Sequence, residues 1–171
     1  MPAFDDYLDQ TERALDADLY YPALALGLAL PDICASCELP SDRQTNLLTY
    51  QDWCLSYMGQ SLGVHELYAL RCAFLHNGTT EFTGRQSTRG RTGEVQLWWQ
   101  GPRPPGMGQI RTVMDDGDDR LGCITHDAAL LCRWLVRGAR NWQAKRQSDP
   151  FVAKNLANLS GVREYSRPAR R

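Results

Sequence analysis

Apolar positions in the first half of the chain recur at the three-and-four spacing of helices that each bury one face. Phe4, Leu8 and Leu15 predict a short amphipathic helix over residues 4–16. A second helix is expected from Tyr20-Tyr21-Pro22, with proline at its first position. Its body, Ala23 to Leu30, is apolar almost all round, the pattern of a helix with neighbours on every side, and Pro31 is expected to kink or end it. Ser41 or Asp42 can cap a third helix running to Met58, with Leu47, Tyr50, Cys54 and Tyr57 facing inward. Ser61 can cap a fourth, in which Val64, Leu67, Arg71, Phe74 and Leu75, with Gly78 beyond, fall on one stripe. From Thr79 to Gly122 the helical period vanishes and Gly, Pro and Thr become frequent. Glu94 to Gln100 reads as a strand with Val95, Leu97 and Trp99 on one face, and Gln109 to Met114 reads as a return strand across the turn-rich residues 101–106. A last long helix, Thr125 to Lys145, carries an apolar seam of Ile124, Ala128, Leu131, Leu135 and Trp142, with Arg133, Arg137 and Arg140 on another face.

These elements predict an all-α fold, a helical bundle with a β-hairpin insertion before its last long helix. Residues 1–147 form a single domain in this reading, with 79–121 as the insertion. Residues 148–171 form a basic C-terminal extension ending in Arg167-Pro168-Ala169-Arg170-Arg171. A chain of 171 residues, 43% hydrophobic, can bury a full core without disulfides or metal. The longest apolar run is too short to span a bilayer, and the acidic start lacks the pattern of an export signal, so a cytoplasmic protein without a membrane partner is expected. Its six cysteines should then be thiols.

Net charge is close to zero but unevenly spread. Residues 1–70 hold 11 acids against 2 Arg, and residues 71–171 hold 9 acids against 17 bases. That asymmetry fits either an electrostatic contact between the halves or a basic surface for an acidic partner. The ratio of 17 Arg to 2 Lys fits phosphate contacts but is more cheaply explained by a GC-rich genome.

Metal and nucleotide motifs are weak. Cys34-Ala35-Ser36-Cys37 has zinc spacing, but no second pair follows it, and the other cysteines fall at apolar helical positions. Asp115-Asp116-Gly117-Asp118-Asp119 lacks the ligand spacing of a calcium loop, and no Gly-Lys-Ser or Gly-Lys-Thr phosphate loop occurs. Neither metal nor organic cofactor is therefore expected.

The candidate chemistry lies in Leu70-Arg71-Cys72-Ala73-Phe74-Leu75-His76-Asn77-Gly78, which places a guanidinium and an imidazole near one helix end. Arg offers a planar fork of donors that matches phosphate oxygens, and His titrates near neutral pH, so the pair suits gripping or cutting a phosphodiester. A buried guanidinium needs a carboxylate, a water-filled cleft or a subunit interface. Asp32 is the expected intramolecular carboxylate, with capping after the Pro31 kink as the alternative. On an ideal helix His76 lies about 140° from Arg71, so the two are expected to converge only at a loosened helix end or across two subunits. The plain alternative is an Arg held by a core Asp beside a solvent-facing His. Arg85, Arg89 and Arg91, in a Gly-rich loop, fit contact with an RNA backbone, and Trp98 or Trp99 could stack on a base; a solvated loop beside a core tryptophan is the other reading.

A mainly helical chain with Arg, four intervening residues and His late in a helix resembles the HEPN superfamily, over residues 1–78 and 122–146. The resemblance implies a metal-independent ribonuclease of toxin or defence type, with Arg71 and His76 as catalytic residues and Asn77 able to bind phosphate or orient the imidazole. It also implies a homodimer in which both Arg–His pairs meet in one cleft, with RNA as substrate and an antitoxin or defence-system protein as a further partner. HEPN sequences often have Asn, Asp or His directly after the Arg; here Cys72 follows it.

Overall fold

A computed structural model of the protein describes residues 2–58, 64–82, 93–98, 111–112 and 124–159. Within them the molecule is mostly helical: α1 (Pro2–Asp16), α2 (Tyr20–Cys37), α3 (Leu47–Met58), α4 (Val64–Asn77), α5 (Ala128–Arg146) and α6 (Pro150–Ala157). Short strands β1 (Glu81–Phe82), β2 (Gly93–Trp98), β3 (Arg111–Thr112) and β4 (Ile124–Asp127) lie between α4 and α5.

Helix α2 is the hub. Ala23, Leu24, Gly27, Leu28, Leu30, Pro31, Cys34, Ala35 and Cys37 are buried, and α2 touches every other helix among the described residues, as its nearly uniform hydrophobicity requires. Pro31 does not end the helix. The turn continues to Cys37 because burial on all sides outweighs the one lost N–H bond, so Asp32 and both cysteines of the Cys34/Cys37 pair ride on the same helix as the core leucines. Cys34 and Cys37 are free buried thiols. Hydroxyls from two neighbours reach α2 carbonyls: Tyr7 donates to Leu26 O at 3.1 Å and Tyr50 to Leu28 O at 3.1 Å.

Helix α3 starts later than its candidate caps Ser41 and Asp42 allow. Asn46 takes the role instead, its Oδ1 accepting from the N–H groups of Leu48 and Thr49, while Thr49 Oγ1 accepts from Asn46 N–H at 2.8 Å. This reciprocal box satisfies three backbone donors at once. Helix α5 is capped by Asp127, whose Oδ1 accepts from Leu130 N–H at 3.0 Å. Its expected seam is buried at Ala128, Leu131, Leu135 and Trp142. Close packing against α3 passes over Gly138, where an added Cβ would lie 3.0 Å from Met58 Cγ and 3.1 Å from Trp53 Cη2.

The expected hairpin is not formed. Strand β2 pairs in parallel with β4, Val95 opposite Ile124, and β3 pairs with the other edge of β4, giving the order β1-β2-β4-β3. Sequence pattern located two strands but not their partner: residues 124–127, read as the start of the last helix, are the strand that separates them. Residues 150–157, within the segment read as an extension, form α6 and pack Val152 and Leu156 into the core. Among the described residues no helix is long and apolar enough to cross a membrane.

The charge asymmetry is partly answered within the fold. Arg140 of α5 contacts Asp9 at 3.3 Å and Glu12 at 2.6 Å on α1, and Arg146 reaches Glu38 at 3.2 Å. Arg133 and Arg137 remain exposed on α5.

Candidate functional site

Helix α4 lies against α2 and α3. Its buried side is formed by Glu66, Leu67, Ala69, Leu70, Cys72 and Ala73, with the two alanines letting the backbones approach. That side is rotated from the stripe the sequence predicts. Arg71, Phe74 and Leu75 are only half-buried, so Arg71 stands at the rim and not in the core.

From that rim the guanidinium makes contacts in two directions. Its Nε faces Asp32 Oδ2 on α2 at 2.6 Å, with side-chain exposures of 22% and 14%. Neither atom makes a well-aligned hydrogen bond, so the contact is an ion pair and not a fork-to-fork bridge. Asp32 is thus the intramolecular partner of Arg71 and is occupied by it. Nη1 lies 3.1 Å from His76 Nε2 and 4.0 Å from Cys72 Sγ. Among the described residues none accepts a hydrogen bond from Nη2.

The Arg71–His76 contact corrects the expectation that the two groups need a second subunit or a loosened helix to meet. They meet within one regular helix. Cα–Cβ bonds tilt toward the helix N-terminus, so the ring of a last-turn residue hangs back over the preceding turn, and the long Arg side chain covers the remaining distance. Gly78 fixes where that last turn stops: its φ of 65° is the left-handed conformation, and its N–H donates to Phe74 O at 3.1 Å. His76 and Asn77 are both exposed beside this stop.

Guanidinium nitrogens only donate, so a hydrogen bond across this contact requires His76 Nε2 to accept.

Beneath Arg71 lies an aromatic and thiol floor that sequence reasoning missed. Tyr50 and Tyr68 meet edge to face at 5.3 Å. Burial pushes the Tyr50 hydroxyl well above its ordinary pKa, and burial together with Cys72 raises Tyr68. The Cys54 thiol is driven up by burial and by the charge of Asp32. These groups therefore stay neutral beside a charged pair. Burial is the largest single influence and works against the Arg71 cation, but Asp32 and Cys72 together outweigh it, and the pKa of Arg71 is raised. A signal for Tyr68 existed, since it precedes Arg71 by three residues and shares its side of the helix. None existed for Tyr50, whose place depends on tertiary packing.

At the same end of α4, Tyr21 of α2 stacks on Phe74, ring centroids 6.2 Å apart and planes 12° from parallel. Arg85, Arg89 and Arg91 lie outside the described residues, as do Ser61, Trp99 and the acidic turn at 115–119; Trp98 closes β2. A separate cleft of about 200 Å³, lined by Ala35, Glu38, Asp52, Trp53 and Tyr57 among others, opens between α2 and α3 and does not include Arg71 or His76. Among the described residues, no three His, Cys, Asp or Glu side chains are grouped so as to hold a metal ion. No protein-family model, curated protein or solved structure matches this chain.

Proposed function

We propose that the chain is a metal-independent RNA endonuclease of HEPN type, acting in the cytoplasm as a toxin or defence effector with Arg71 and His76 as its catalytic pair. The observation that carries this reading is the 3.1 Å approach of Arg71 Nη1 to His76 Nε2 at an exposed helix end. A cation and an imidazole stand together there, at the surface where a phosphodiester can reach both.

In this mechanism the phosphate displaces the direct Arg–His contact and lies between the two groups. The 2′-hydroxyl attacks the adjacent phosphorus while His76 Nε2 takes its proton, worth ~10² to 10⁴ in rate. The P–O5′ bond breaks, leaving a 2′,3′-cyclic phosphate, and the 5′-oxygen leaves with a proton from water or from the second His of a dimer. Arg71 balances the charge gathering on the non-bridging oxygens, commonly the largest catalytic term. Asp32 holds Nε and so fixes the plane of the fork. Asn77, exposed beside His76, would hydrogen-bond the phosphate. The homodimer and an antitoxin partner belong to the proposal through the HEPN resemblance.

The test is cleavage of single-stranded RNA with EDTA present. The wild type should cut, and Arg71→Ala and His76→Ala should each lose activity by ~10² or more. Equal cutting by all three would overturn the reading. One observation favours a second reading, a non-catalytic HEPN-like binding or scaffold protein: Asp32 already neutralises Arg71 at 2.6 Å, as a purely structural arginine would require.

A further inference from the structure

The cleft between α2 and α3 has no part in the chemistry above. Ala35, Glu38 and Leu39 wall it from the end of α2, and Asp52, Trp53 and Tyr57 wall it from α3. Helical spacing builds the α3 side: Trp53 and Tyr57 stand one turn apart, ring centroids 5.5 Å apart and planes 39° from parallel, with Asp52 next to them in the chain. Two polar groups of this wall lack partners. Trp53 is 4% exposed, yet its Nε1 finds no hydrogen-bond acceptor among the described residues. Asp52 is exposed and forms no ion pair with a described residue. Glu38, by contrast, is engaged, accepting from Trp142 Nε1 at 2.6 Å and from Arg146 at 3.2 Å. Lys145 Nζ stands 5.4 Å from the centre of the Tyr57 ring, so one face of that ring already holds a cation.

We infer that this cleft is a binding site for an arginine residue of a peptide, with the guanidinium bonded to Asp52 against the aromatic wall and a peptide carbonyl accepting from Trp53 Nε1. The inference is independent of the ribonuclease reading, since the cleft does not include Arg71 or His76. An unpaired carboxylate beside aromatic rings selects a cation. Among cations the guanidinium is the best match, because it is planar, stacks on rings and offers a fork to a carboxylate. A buried indole N–H without an acceptor asks for a carbonyl oxygen as well. A peptide supplies both groups, whereas free arginine brings a carboxylate that Asp52 and Glu38 repel. One source of such a residue lies in the chain itself: Arg163, Arg167, Arg170 and Arg171 follow α6, and α6 is tied to the end of α2 by Asn155 Nδ2, which donates to Cys37 O at 3.0 Å. The other source is a different protein.

The test titrates the full chain by calorimetry with the blocked tripeptide acetyl-Gly-Arg-Gly-amide. The same peptide with citrulline, which keeps the shape and loses the charge, is the control. The arginine peptide should bind at least about tenfold more tightly than the citrulline peptide, and Asp52→Asn should remove that preference. The indole N–H resonance of Trp53, assigned by its absence in Trp53→Phe, should shift with the arginine peptide. The variant Arg163→Gln/Arg167→Gln/Arg170→Gln/Arg171→Gln separates the sources. If the chain's own arginines fill the cleft, this variant should bind the peptide roughly tenfold more tightly than wild type; equal binding would assign the arginine to another protein. Equal affinity for the citrulline peptide, a preference that survives Asp52→Asn, or no binding by either the wild type or the four-arginine variant would overturn the proposal.

Discussion

Arg140 and Arg71 are both cations that join two helices, but they are arranged for different ends. Arg140 bridges α5 to α1 on the surface, 45% exposed, with Glu12 at 2.6 Å and Asp9 at 3.3 Å. Its one positive charge meets two negative ones, so nothing is left to attract a further anion. Arg71 is less exposed, meets one carboxylate through Nε, and turns Nη1 toward an imidazole and a thiol. The first arrangement fastens helices. The second holds a guanidinium by one carboxylate and sets its Nη1 beside an imidazole, and that asymmetry is the physical basis of the functional reading.

The sharpest way to break the comparison is through activity. His76→Ala should lower RNA cleavage by ~10² to 10⁴ while the melting temperature stays close to native, since the ring is exposed at a helix end. A large loss of stability instead would make His76 a structural residue. Arg71→Ala comes next. This variant leaves a carboxylate only 14% exposed without its cation. The pair lies between surface and buried cases, so the cost should be about 2–3 kcal/mol by chemical denaturation, with most of it recovered in Asp32→Asn/Arg71→Ala.

Glu38→Gln is the next smaller change. Glu38 accepts from Trp142 Nε1 at 2.6 Å and from Arg146 at 3.2 Å, and the neutral amide weakens both bonds, costing about 1–2 kcal/mol in a urea titration without altering cleavage. Arg140→Ala should do least, under about 1 kcal/mol despite its two ion pairs, and the loss should shrink further at high salt. If Arg140→Ala abolished RNA binding while Arg71→Ala did not, the two arginines would have to exchange roles.

How much of this the sequence could reveal differs between the same two places. Helices α1, α2 and α5 follow from apolar periodicity, because their buried faces are long and their neighbours are other helices. Asp32 could be named as a partner for Arg71 because it is the acid nearest the apolar run of α2. The rotation of α4 could not be read, since Ala69 and Ala73 mark the buried face by being small, and small residues carry little hydrophobic signal. The pairing of β2 with β4 was equally hidden. Periodicity identifies a strand but not which strand lies beside it, and Ile124-Thr125-His126-Asp127 continues without a break into the pattern of α5. Tyr50 and Cys54 became neighbours of the Arg71–Asp32 pair only through the packing of α3, whereas Tyr68 is within reach of Arg71 by its spacing on α4.

The most direct measurement uses the charge-balanced double variant Asp32→Asn/Arg71→Ala, whose stability and RNA cleavage are recorded on the same preparation. The account predicts a protein that melts within a few degrees of wild type yet leaves a single-stranded RNA uncut in EDTA. A stable double variant that cleaves at the wild-type rate would show that the guanidinium serves only to satisfy its carboxylate, and the proposed site would have to be abandoned.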